Sequence, residues 1–217
     1  YNYYAAVIPS ENPLIKPLMI FFPDGDKEKG IQQLKNTATN GKFAKYEARY
    51  FLMTLYYRYE SNSILAEEYS KLLQEDFPDN PVFEKWRGRI AVRRGDFVFA
   101  DSVFKDVLAK ADTKLFGYNT PNSLREASYY VGNNYKNNGE FDSAKIFLKK
   151  CIIESEKIDE EGEESGFQVN AYIYLAQIAE ALKQNQDAIR IYEKILYIKD
   201  YGNSHLIAEN SLKNLKR

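Results

Sequence analysis

Cysteine and histidine are almost missing from this 217-residue sequence, which has one of each, Cys151 and His205. A single cysteine cannot close an internal disulfide. One Cys and one His fall short of the usual zinc ligand sets. A Cys–His or Ser–His–Asp centre would have to use His205, which lies in a polar C-terminal stretch and reads as a surface or capping-helix residue. A charge imbalance is missing too. The 30 basic and 31 acidic residues leave a formal net charge of −1, which gives no global steering toward nucleic acid or anionic lipid. There is no long hydrophobic run. Leu14–Phe22 (LIKPLMIFF) is too short to span a bilayer and is broken by Lys16 and Pro17. No Gly-rich phosphate loop, HExxH, nucleophile elbow or CxxC occurs. The many carboxylates fall on helix faces and in one acidic loop, not in a recognisable hydrolase pair. We therefore expect no enzymatic activity, no cofactor, no metal and no nucleic-acid partner. Starting at Tyr1 rather than Met, the chain reads as a processed protein or an excised piece of one, with any targeting segment already gone.

What is present is a folded-protein balance of 44% hydrophobic and 28% charged residues, with 18 Tyr and 13 Phe against one Trp. It is arranged as a repeat. Four segments share one pattern: Tyr46–Pro78, Val82–Asp112, Ser123–Lys157 and Val169–Asp200. In each, an amphipathic first helix runs into a polar turn (ESNS, RRGD, NNGE or KQNQ). A second helix follows, with a small residue near its start. Those residues are Ala66, Ala100, Ala144 and Ala188, separated by 34, 44 and 44 positions. The extra ten residues have visible homes in Ala111–Pro121 (ADTKLFGYNTP) and in the acidic Ile158–Gly166 (IDEEGEESG). Both are predicted to be connections or helix extensions, not strands.

Physics gives each marked position a reason. Gly or Ala lets two helix backbones approach without a side chain between them. An aromatic or aliphatic residue four positions later shares its helical face and fills the groove beside it. In the third segment these are Gly132, Tyr135, Gly139, Ala144 and Leu148. The second has Gly88, Gly95, Ala100 and Phe104. The fourth has Ala176, Ala188 and Tyr192, and the first has Tyr57, Ala66 and the terminal Pro78. Arg87 at an inner position and Ser70 in place of an aromatic depart from the pattern. With four matches in register over Tyr46–Asp200, roughly 155 residues, the chain resembles the tetratricopeptide repeat (TPR) superfamily and is similar to bacterial TPR-like proteins. That resemblance implies an all-α fold, a right-handed α-α superhelix of TPR-like helical hairpins.

The flanks complete a single repeat domain over residues 1–217. Asp26–Asn40 reads as the second helix of a degenerate pair within 1–40, with Gly30 in the small-residue slot. Pro9, Pro13 and Pro17 break Tyr1–Phe22 into short helical pieces joined by turns. Asn203–Leu215 reads as a capping helix that covers the last apolar face.

The resemblance also implies a groove, because in TPR arrays the first helices line the concave face. The positions that would point into it are Phe51 and Leu55, Lys85 and Arg89, Tyr129 and Asn133, and Ile173 and Gln177. Arg58, Arg93, Asn137 and Glu180 follow on the same faces. Lys85, Arg89 and Arg93, four apart, would form a basic stripe suited to an acidic segment or a C-terminal carboxylate. Only Lys85, Arg89 and Asn133 echo the carboxylate-gripping set of some family members. The expected function is a protein- or peptide-binding scaffold. The alternative is a structural arm of a larger assembly, the cell envelope being one setting for it, which an exposed apolar stripe on Tyr1–Phe22 would favour. The sequence fixes neither oligomeric state nor compartment. Similar bacterial proteins occur in the cytoplasm and, behind a signal peptide, in the periplasm or at the outer membrane.

Overall fold

The computed structural model describes residues 1–216. Among them there is no strand. The elements are α1 (Asn2–Glu11), a 3-10 helix (Pro13–Phe21), α2 (Lys27–Asn40), α3 (Lys45–Arg58), α4 (Ser63–Asp76), α5 (Pro81–Arg94), α6 (Phe97–Asp112), α7 (Pro121–Asn137), α8 (Phe141–Ser155), α9 (Gly166–Ala181), α10 (Asn185–Ile195) and α11 (Ser204–Leu215). They form two compact units, Tyr1–Gly95 and Asp96–Arg217. The segment 82–112 therefore gives α5 to the first unit and α6 to the second.

Helix starts follow from the polar turns. Asn62 and Asp96, inside the ESNS and RRGD turns, accept from the backbone N–H of Leu65 and Phe99 at 3.0 and 3.1 Å. Asp26, Asn80, Thr120 and Ser165 cap α2, α5, α7 and α9 in the same way. Each such cap satisfies an N–H that has no partner within its helix, a contribution of about 1 kcal/mol.

Within each unit, consecutive helices pack as neighbours: α1–α2, α2–α3, α3–α4 and α4–α5 in the first, and α6 through α11 in the second. The small residues sit where the repeat pattern requires them. Ala66, Ala144 and Ala188 are fully buried and Ala100 nearly so. Gly132 faces Leu148 on α8. A Cβ there would come within 2.9 Å of the Leu148 Cγ and 3.1 Å of its backbone nitrogen. Gly30 plays this part for the degenerate pair, where a Cβ would lie 2.4 Å from the backbone nitrogen of Tyr3 on α1.

The first unit buries Tyr3, Val7, Ala48, Leu52, Met53, Leu55, Leu73, Trp86 and Ile90 in one cluster. The second buries a cluster running from Ala144 on α8 to Leu212 on α11. Ser70, one of the two departures, is fully buried, and its hydroxyl donates back to the Glu67 carbonyl at 2.8 Å. That bond satisfies a polar group where no aromatic fits. Arg87, the other, is half-buried, and burial holds its pKa below the usual arginine value. The two added stretches lie in the α6–α7 and α8–α9 connections, and the α7–α8 and α9–α10 hairpins that follow them stay intact.

Candidate functional site

The site is built from the first helices of two successive hairpins. On α3, Tyr46 and Tyr50 stand four residues apart, as do Glu47 and Phe51. Each pair shares a helical face. The chain leaving α4 brings up Phe77. Asn80 then caps α5 with bonds from the Val82 and Phe83 N–H groups at 2.9 and 3.5 Å. This cap, with Pro81 in the first turn of the helix, fixes how α5 begins and so where Val82 and Phe83 point.

Together these residues line an apolar cleft of about 550 Å³. Its floor is a chain of ring contacts. Tyr46 meets Phe77 edge-on at 4.8 Å, Phe77 meets Phe83 at 5.7 Å, and Tyr50 meets Phe83 at 6.3 Å. Its rim stays open to solvent, with Tyr46, Phe51, Phe77 and Val82 each 37–46% exposed. Glu47 is the only charged group lining it. Rings that touch one another yet leave part of each face wet offer rigid apolar area at low entropic cost to whatever docks.

The basic stripe of α5 lies beside this cleft and faces α3. Lys85 is only 4% exposed. The Arg89 guanidinium lies 4.8 Å from the centre of the Trp86 ring, and that of Arg93 lies 4.6 Å from the Tyr57 ring. Arg93 also donates to the Tyr57 carbonyl and to the Ser61 hydroxyl. Arg58, exposed at the end of α3, lies 5.8 Å from the Trp86 ring. These cations pack on aromatic faces, where a guanidinium keeps its charge at small desolvation cost.

The remaining candidates divide between surface and core. Leu55 and Ile173 are buried within the clusters of their units. Asn133 and Gln177 are half-buried, and Asn137 is exposed in the last turn of α7. Tyr129 fills the space between α7 and α9. It stacks on Tyr174 at 5.7 Å, with the two hydroxyls 3.2 Å apart, and meets Phe167 edge-on at 5.3 Å. Burial first, then the Tyr174 hydroxyl, pushes its pKa far above the ordinary phenol value. Lys136 lies over the Tyr174 ring at 4.8 Å. Glu180 accepts a hydrogen bond from the Tyr192 hydroxyl.

Sequence reasoning brought Phe51 to the cleft and missed Tyr46, Tyr50, Phe77, Val82 and Phe83. The signal for the last three was the FPDNP stretch, where a helix stop and an Asn-Pro helix start stand four residues apart.

Groups with reactive chemistry have structural surroundings. Cys151 is fully buried, and burial pushes its thiol up to about 12. The His205 Nε2 lies 2.8 Å from the Ile198 carbonyl. Among the described residues no group of three or more His, Cys, Asp or Glu side chains is placed to hold a metal ion. No helix among them is long and apolar enough to cross a membrane.

No family model matches the sequence, and no curated protein matches it. Solved structures do. One is a protein from Podosopora anserina described as a putative kinesin light chain with nearly identical TPR-like repeats. It shares 16% identity, with 79% of this chain and 85% of that one covered, at a TM-score of 0.57. A single-substitution variant of that protein matches over the same shares at 16% identity and a TM-score of 0.58. The chain has the fold of a TPR-like helical repeat, as the spacing of its small residues predicts.

Proposed function

We propose that this chain is a protein- or peptide-binding scaffold and that its partner docks an apolar anchor into the cleft between α3 and α5. The observation that carries this reading is the cleft itself: about 550 Å³, floored by packed rings and rimmed by half-exposed ones. Monomeric folds rarely leave such rings wet without a use for them. TPR-like folds serve widely as interaction scaffolds, which supports the same class of function. Arg89 and Arg93 continue from the cleft along α5. An acidic stretch of the partner flanking the apolar anchor would lie against them. We place no ligand on Leu55, Ile173 or Lys85, whose side chains are buried. Phe51 is the candidate we retain in the cleft. Asn133, Asn137 and Gln177 remain candidates on the corresponding helices of the second unit.

A displayed random-peptide library tests this. Peptides selected on the chain should carry an aromatic or branched aliphatic anchor, and Phe51→Glu and Val82→Glu should each weaken them about tenfold or more. Arg89→Glu should weaken only acid-flanked peptides, and salt should weaken them more on wild type than on that variant. Selected peptides that bind the Phe51→Glu, Val82→Glu double variant as tightly as wild type would remove the cleft from the reading.

The alternative, a structural arm of a larger assembly, has its own observation. The Pro13–Phe21 helix contains no buried residue, and Leu14, Leu18, Ile20 and Phe21 face solvent.

A further inference from the structure

The 3-10 helix Pro13–Phe21 is the most exposed apolar element of the first unit. Leu14 is 93% exposed, Leu18 64%, Ile20 81% and Phe21 84%. It packs on α1 with only Ile15 and Met19 half-buried. Residues three apart eclipse in a 3-10 helix, so Leu18 and Phe21 stand on one edge with Ile20 beside them. A chain that holds such a row in a regular, hydrogen-bonded element presents it to something.

Charge decides among the occupants. Over residues 10–26 the charged side chains are Glu11, Lys16, Asp24 and Asp26, a local excess of acid. An anionic lipid surface is repelled by that set. A carboxylate next to an apolar recess is not, because it would meet Lys16, the single cation in the row. The first unit itself offers that combination. The α3–α5 cleft is lined by rings, Val82 and Asn80, with Glu47 as its one charged side chain among the described residues. Lys16 and Glu47 are both exposed to solvent. The volume also fits, since about 550 Å³ admits two or three bulky side chains, the number that the Leu18–Phe21 edge carries.

We propose that the occupant of the cleft is the Pro13–Phe22 segment of a second copy of this chain, with Leu18 and Phe21 inserted between Tyr46, Phe51 and Val82 and Lys16 against Glu47. This rests on the cleft being a docking site, and it names the partner. Segment and cleft are different surfaces, so the contact is heterologous. A handful of side chains on each side places it well below the roughly 800 Å² per partner of a stable complex. Association is accordingly weak, with Kd between about 10 µM and about 1 mM.

Sedimentation equilibrium over that concentration range reads the proposal. Wild type should rise in mean mass with concentration. Phe21→Glu and Val82→Glu, both at exposed positions, should each remain monomeric. An equimolar mixture of the two should associate, because the first keeps an intact cleft and the second an intact segment. Lys16→Glu should weaken association, and adding Glu47→Lys to it should restore it. A wild type that stays monomeric throughout overturns the proposal. So does a mixture of the two variants that fails to associate when wild type does, which would mark a like-with-like contact. Co-sedimentation of wild type and Val82→Glu, but not Phe21→Glu, with phosphatidylcholine vesicles would overturn it in favour of a lipid surface. A synthetic peptide of residues 12–23, titrated onto the chain beside the library-selected peptides, separates the two readings. Binding by the selected peptides alone sinks self-docking and leaves the cleft standing, whereas binding by neither sinks both.

Discussion

The space between the first helices of successive hairpins is handled in opposite ways in the two units. Between α7 and α9 it is filled. Tyr129, Tyr130, Tyr174 and Phe167 touch ring to ring, and the Tyr129 and Tyr174 hydroxyls satisfy each other. Between α3 and α5 the rings line a recess and leave it open. Both regions draw on the same abundant tyrosine and phenylalanine. An aromatic count therefore says nothing about binding. What matters is whether the rings fill the gap or meet only at its floor and leave the space above them open.

That contrast can be broken most forcibly at Tyr129. Tyr129→Ala removes a half-buried ring packed against the core of the second unit and should cost about 3 kcal/mol in urea unfolding. It should also expose Cys151, which belongs to the same half of the chain and is the one thiol present. In wild type, burial keeps that thiol protonated and out of reach, so a disulfide reagent should label it only through opening of the second unit. In the variant, labelling should accelerate in step with the lost stability.

A smaller effect, about 1–3 kcal/mol, is expected from Ala144→Leu, which overpacks the α7–α8 crossing where Gly132 already touches Leu148. Ala66→Leu makes the matching test at the α3–α4 hairpin of the first unit. A neutral result at either position would mean that the small residue there is not holding a close crossing.

Glu60 sharpens the comparison through pH. Burial pushes its carboxyl up, but hydrogen bonds from Lys27 and Tyr3, with the Lys27 charge, outweigh this and hold it below its ordinary value of 4.5. The Tyr3 bond is 2.6 Å and the Lys27 contact 2.7 Å. A depressed acid contributes stability that is fully present above its unfolded pKa and is lost as pH falls through the folded one. Between about pH 6 and about pH 3 wild type should therefore lose about 1 kcal/mol more than Glu60→Gln. The loss should appear in the unfolding of the first unit. Equal pH dependence in the two proteins would mean that these bonds do not hold α1 to the end of α3.

The smallest change is expected at the open recess. Val82→Ala should alter stability by less than about 0.5 kcal/mol, because nearly half of that side chain is already in water. A cost near that of Tyr129→Ala would show that the cleft wall is core.

How much of this the sequence disclosed follows from the kind of signal each part leaves. The hairpins were legible because a close crossing tolerates only Gly or Ala at one slot, and two of the four polar turns supply a side-chain cap. Both demands fall on single residues: Ala144, Gly132, Asn62, Asp96. The groove positions were less legible. On α9, Val169, Ala171, Tyr172, Ile173, Leu175, Ala176, Ile178 and Ala179 are all buried. A helix covered nearly all round gives its groove-facing and core-facing residues the same apolar character, so a four-residue step from Ile173 cannot tell the two apart. Leu55 fails for the same reason on α3. The stripe through Lys85 carried a different ambiguity. Periodicity reports the face on which a side chain lies and says nothing of whether a neighbouring Trp on its own helix or a Tyr on another covers it. The cleft itself has no period, since half of its wall comes from a turn and the first residues of α5.

The two long connections carry a consequence for how this chain tolerates change in length. Each contains a buried side chain that pins it. Tyr118 is fully buried in the α6–α7 connection. In the α8–α9 connection, buried Glu164 accepts from the backbone N–H of Gly162 at 3.1 Å and of Lys199 at 2.8 Å. The ten additional residues are thus a spacer with a fixed point near its end. Upstream of it Asp159 pairs with Arg125 on α7 and accepts from the Ser165 N–H at 2.9 Å, so insertions at Glu160 and Glu161 would fall between two held points, in the exposed part of the loop. The same event between Glu164 and Gly166 would shift the stake against α9 and disturb the whole hairpin. Descendants of this sequence should therefore drift in loop length on one side of the anchor and hold constant on the other.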